Sequence, residues 1–68
     1  MNGDTEKKVI GVFRNGAKLF SLTNRAGIPF FTIEENGLEI FSSESKDGEP
    51  GKLIRAYEKM RRTKLREQ

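Results

Sequence analysis

Two Asn-Gly dipeptides, Asn15-Gly16 and Asn36-Gly37, constrain this chain more than any other feature. Both residue types tolerate positive φ, so a two-residue Asn-Gly loop joins neighbouring strands as a hairpin. The flanking runs are rich in Val, Ile, Phe and Thr, as strands require. Lys8 to Arg14 and Ala17 to Thr23 form the first predicted pair. Ile28 to Glu35 and Leu38 to Ser43 form the second. Asn24 to Gly27 supplies the turn between the pairs, with Gly27 in its left-handed position. Pro29 has no N–H for a ladder, so it belongs near the start of its strand.

Two-residue turns set a register. In the first hairpin Arg14 faces Ala17, Val12 faces Leu19 and Ile10 faces Ser21. In the second, Glu35 faces Leu38, Ile33 faces Ile40 and Phe31 faces Ser42. Glu34 then lies opposite Glu39, a like-charge pair for which Lys18 is a candidate neighbour. Strand alternation sorts the side chains into two apolar faces. Val9, Phe13, Phe20, Leu22, Phe31, Ile33, Leu38 and Ile40 form one. Ile10, Val12, Leu19, Phe30, Thr32 and Phe41 form the other.

Glu49 to Gln68 has a different period. Leu53, Ala56, Tyr57 and Met60 recur at i, i+3, i+4 and i+7, with Ile54 on the flank, which predicts an amphipathic helix. Glu44 to Gly51 reads as the loop before it. Pro50 suits the first turn, and Asp47 or Gly48 could cap it. The fold class is therefore α+β: a four-stranded antiparallel meander packed on one C-terminal α-helix. Residues 1–7 read as a disordered leader and 8–68 as a single small domain. A single helix covers a single face, and Val9 to Ile40 is the face expected beneath it. The second face is then open, with Phe30, Phe41, Val12 and Leu19 as candidate interface residues.

The back of the helix is cationic. Lys52, Arg55, Lys59, Arg62 and Arg66 share one side, with Arg61 and Lys64 beside them where the apolar spacing fails. Residues 52–68 hold seven Lys or Arg against two Glu, a net of +5. Residues 1–51 hold six against eight Asp or Glu, a net of −2. Such a division predicts an anionic partner for the basic part. Phosphates fit, because backbone contacts need positive charge more than shape. The seven cations are the candidate nucleic-acid contacts.

In element order the chain resembles small single-strand binders of the transcription-coactivator kind. It is also similar to the three-stranded-sheet-plus-helix modules that bind DNA in integrases. The likeness is one of architecture, carries no matching motif and transfers no residue role.

Other classes are disfavoured. There is no Cys and no His, so the commonest general base and the best nucleophile are missing. Glu34 and Glu39 converge at an exposed turn, which reads as solvated surface; no metal site, cofactor or small-molecule substrate is expected. No apolar run approaches the roughly 20 residues that span a bilayer, and the start lacks a signal-peptide core. The reading is a non-enzymatic cytoplasmic protein that binds nucleic acid. The alternative is a protein-interaction module or small regulator acting through the open sheet face or as a homodimer.

Overall fold

The computed structural model describes residues 7–67. The expected leader, apart from Lys7, lies outside the described residues. Four strands form the expected meander: β1 (Lys8–Phe13), β2 (Lys18–Thr23), β3 (Pro29–Glu35) and β4 (Leu38–Glu44). Helix α1 (Gly51–Arg61) follows. A fifth strand, β5 (Leu65–Glu67), then pairs antiparallel with β1. The sheet order is β4-β3-β2-β1-β5, with the helix packed against one side.

The helix is shorter than the predicted Glu49–Gln68. Arg62 turns into the left-handed region (φ 53°, ψ 44°), and its N–H donates to Glu58 O, which ends the helix. Met60, expected on the buried face, is 50% exposed, and Leu65 is the one apolar residue after it, so continuing the helix would bury little more. The chain instead gains a strand. Glu58 Oε2 accepts the Leu65 N–H at 2.9 Å, and Arg14 N–H donates to Lys64 O at 3.0 Å. Leu65 packs over Gly11, where a Cβ would stand only 2.7 Å from Leu65 Cδ1. The missing side chain at Gly11 makes room for β5.

The first turn differs by one residue from the sequence reading. Phe13 N–H donates to Ala17 O (2.8 Å), which encloses a three-residue loop, Arg14-Asn15-Gly16. Only Gly16 is left-handed there (φ 94°). Asn15 spends its side chain on the loop instead, with Oδ1 accepting the Ala17 N–H at 3.1 Å. Val12 therefore faces Lys18 and Gly11 faces Leu19, replacing the expected Arg14–Ala17 and Val12–Leu19 pairs. A bulge at Ile10 then sets Val9 opposite Phe20 and Lys8 opposite Ser21.

The second turn is the two-residue kind, with Asn36 at φ 54° and Gly37 at φ 81°. Glu35 faces Leu38 and Glu34 faces Glu39, as the dipeptide predicts. Past them the ladder slips by one residue at Ile40. Ile33 then faces Phe41, and Phe31 faces Ser43, in place of the expected Ile33–Ile40 and Phe31–Ser42 pairs. The slip turns Phe41 towards the helix, where its ring meets Tyr57 edge-on with centroids 5.9 Å apart.

These three one-residue differences, the longer first loop and the irregularities at Ile10 and Ile40, redraw the faces. Phe13, Ala17, Leu19, Phe31 and Ile33 lie buried beneath Leu53 and Tyr57, with Phe41, Ile54 and Leu65 packed around them. Val9, Phe20 and Leu22, expected under the helix, are on the other side of the sheet with Val12, Phe30 and Thr32. Leu38 is 70% exposed.

The loop into α1 is held by side chains. Glu49 N–H donates to Ser45 Oγ (3.1 Å) and to Asp47 Oδ1 (3.2 Å). Hydrogen bonds from Ser45 and the Glu49 backbone hold the Asp47 carboxyl below its ordinary value. Neither Asp47 nor Gly48 caps the helix: Pro50 is the capping residue, and its carbonyl accepts the Ile54 N–H at 2.9 Å.

Candidate nucleic-acid interface

Helix α1 turns Leu53 and Tyr57 into the core. At 100° per residue the opposite side is formed by Lys52, Arg55 and Lys59. Arg62, at the cap, continues the line. All four are exposed, and among the described residues none of them is in a salt bridge. Ten steps of 1.5 Å from Lys52 to Arg62 give this ridge a length of about 15 Å. At its first turn, Lys52 and Arg55 border a cleft of about 420 Å³ shared with Phe31, Lys46 and the acidic residues Glu44, Asp47 and Glu49.

The other three predicted contacts are elsewhere. Arg61 lies on the flank of the helix and makes a two-pronged contact with Glu35: Nη2 to Oε1 and Nε to Oε2, both 2.9 Å. Its charge is matched within the fold. Lys64 is exposed on the connector between α1 and β5. Arg66 stands on β5 opposite Val12, which puts it on the sheet side away from the helix. The expected five-residue row is therefore a four-residue ridge, because the helix stops at Arg61 and Arg66 falls on β5.

The Arg61–Glu35 contact belongs to a longer network. Tyr57 donates its hydroxyl to Glu35 Oε2 (2.5 Å) and accepts from Asn15 Nδ2 (2.8 Å). The first turn, the end of β3 and the helix thus meet at one phenol. Burial, reinforced by the bond to the Glu35 carboxylate, pushes the Tyr57 hydroxyl above its ordinary value of 10.0. A raised value means that the fold favours the neutral phenol. The resulting stability is intact below pH 10 and is lost as pH rises through the folded value. Urea unfolding from pH 9 to 11.5 should show a falling midpoint, and Tyr57→Phe should flatten that fall. An equally steep decline in Tyr57→Phe would place the alkaline sensitivity elsewhere.

The four candidate interface residues do not share an open face. Leu19 is 1% exposed under the helix, and Phe41 packs on Tyr57. Val12 and Phe30 do lie on the uncovered side, both half-buried. Their neighbours there are Val9, Phe20 and Leu22, which the two-residue reading of the first turn had assigned to the core. Lys7 completes this side. Its ammonium sits 4.4 Å from the Phe20 ring centroid and pairs with Glu34. Lys18 faces Glu34 across the ladder as expected, yet the ion pair is made by Lys7.

Among the described residues, no helix is long and apolar enough to cross a membrane. No family model, curated protein or solved structure matches this chain.

Proposed function

We propose that this chain is a non-enzymatic nucleic-acid-binding protein whose contact surface is the outward ridge of α1. Lys52, Arg55, Lys59 and Arg62 would neutralise successive phosphates, with Lys64 beside the end of the ridge. The observation that carries this reading is that four exposed cations line the solvent side of one helix and, among the described residues, none of them is in a salt bridge, although Asp47 at the helix start feels the charge of Lys52. Arg61, matched by Glu35, would position the helix rather than touch phosphate. A cytoplasmic setting is part of the same proposal and rests on the absence of cysteine.

Four phosphate contacts give a predicted slope of log K on log salt near −3 for single strands and −3.6 for duplex. Affinity should fall about 10²-fold between 50 and 200 mM salt. Fluorescence anisotropy with labelled single- and double-stranded oligonucleotides measures this directly. Arg55→Glu combined with Lys59→Glu should reduce low-salt affinity at least about 100-fold while leaving the circular dichroism spectrum unchanged, since both side chains are exposed. Binding that ignores salt, or that survives the double reversal, would end the proposal. The comparison of the two strand forms also identifies the preferred nucleic acid.

A further inference from the structure

The two Asn-Gly turns are the same dipeptide in different surroundings. An asparagine followed by glycine is prone to lose its side-chain nitrogen, because a residue without a Cβ leaves its backbone nitrogen open to approach. The reaction needs two groups free at once: the glycine N–H as nucleophile and the asparagine amide as electrophile.

At Asn15-Gly16 neither group is free. The Gly16 N–H donates to Phe13 O at 2.9 Å. The Asn15 amide is held at both ends: Oδ1 accepts the Ala17 N–H at 3.1 Å, and Nδ2 donates to the Tyr57 hydroxyl at 2.8 Å. That hydroxyl is fixed in turn by Glu35. At Asn36-Gly37 both groups are free. The two residues are exposed, and among the described residues neither the Asn36 amide nor the Gly37 N–H has a hydrogen-bond partner. Both loops must also rotate the Asn–Gly peptide plane, so that requirement does not separate them.

We infer that Asn36 is a site of spontaneous deamidation and that the fold protects Asn15. Hydroxide removes the Gly37 amide proton, and the nitrogen attacks Asn36 Cγ. The new N–Cγ bond closes a five-membered imide. The Cγ–Nδ2 bond breaks, and Nδ2 takes a proton from water and leaves as ammonia. Water then opens the ring at either carbonyl. One opening gives aspartate, and the other gives isoaspartate, whose main chain runs through Cγ. Either product places a carboxylate next to Glu35 and near the Glu34–Glu39 pair. Isoaspartate also adds an atom to the backbone of a turn whose two-residue length aligns Glu35 with Leu38.

Trypsin separates the sites, since cleavage after Arg14, Lys18, Arg25 and Lys46 puts Asn15 and Asn36 on different peptides. Asn2-Gly3, outside the described residues, falls on a third. The folded chain, held in mildly alkaline buffer and mapped by mass spectrometry over time, should convert Asn36 at least about 10-fold faster than Asn15, the factor expected where hydrogen bonds must open first. In urea the two rates should come within about 3-fold of each other, because the protection belongs to the folded state. Tyr57→Phe removes the acceptor of the Asn15 amide, and it should quicken Asn15 while leaving Asn36 unchanged. Equal rates in the folded chain, or Asn15 the faster, overturn the inference. So does an Asn15 rate that Tyr57→Phe leaves unmoved. A difference that persists undiminished in urea overturns it too, by assigning the contrast to the flanking residues rather than to the fold.

Discussion

Tyr57→Ala should leave this chain largely unfolded at 25 °C. Tyr57 is fully buried at the centre of the core. Its ring lies 4.5 Å from that of Phe13 on β1 and 5.9 Å from that of Phe41 on β4, so one side chain joins strands three positions apart in the sheet. Its hydroxyl also joins Asn15 in the first turn to Glu35 at the end of β3. Truncating a buried aromatic to Ala costs about 3–5 kcal/mol. A core of this size supplies roughly 3–5 kcal/mol of net stability, so the loss is of the same order as the whole. Tyr57→Phe separates the two roles. It keeps the ring contacts and removes only the hydroxyl, leaving Asn15 and Glu35 near enough to solvent to be hydrated. A cost of about 1–2 kcal/mol is expected, with a cooperative melt retained. Far-UV circular dichroism and urea titration of the three proteins check this order. If Tyr57→Ala melts as cooperatively as the parent and within a few degrees of it, the core is not organised around this residue.

The elements that could be read from sequence are those with local causes. Asn36-Gly37 folds as a two-residue turn because both residues take positive φ, and that preference lies in the dipeptide itself. Asn24 closes the middle turn with its own side chain, accepting from Ala26 and Ile28 N–H. Leu53 and Tyr57 announce the helix by their spacing. What could not be read depends on partners far along the chain. Asn15-Gly16 is the same dipeptide as Asn36-Gly37, yet its loop is one residue longer, because Asn15 turns its amide towards a phenol 42 positions away. The slip at Ile40 places Phe41 beside that same phenol. Each of these one-residue changes flips neighbouring residues to the other face, so the first four strands are legible while the core is only partly so: Phe13, Phe31 and Ile33 lie under the helix as expected, and Leu19 and Phe41 replace Phe20 and Leu22 there. The candidate site suffered from a related cause. Leu65, Arg66 and Glu67 are too few to show strand alternation, and only the space over Gly11 and the bond from Leu65 N–H to Glu58 make them a strand. Arg66 was therefore counted on a helix that had already ended.

The adjacent pair Leu19 and Phe20 turns that register into an experiment. A two-residue first turn would leave Leu19 on the open side and bury Phe20 beneath the helix. The observed three-residue loop does the reverse: Leu19 is 1% exposed under α1, and Phe20 is half-buried on the far side beside Lys7. Leu19→Asp should therefore abolish folding. It forfeits about 1.5–3 kcal/mol of apolar burial and places a carboxylate in the core with no cation to meet it, a further cost of several kcal/mol. Their sum exceeds what a chain of 68 residues can lose. Phe20→Asp should fold. It gives up part of one apolar contact and the Lys7 cation–π interaction, worth about 0.5–1 kcal/mol, and puts a carboxylate where Lys7 can reach it. Nitrogen–proton correlation spectra of the two variants at low protein concentration should be collapsed for the first and dispersed for the second. The opposite pattern would mean that the first hairpin pairs as its dipeptide alone suggests. Leu19 would then belong to the open face and Phe20 to the core.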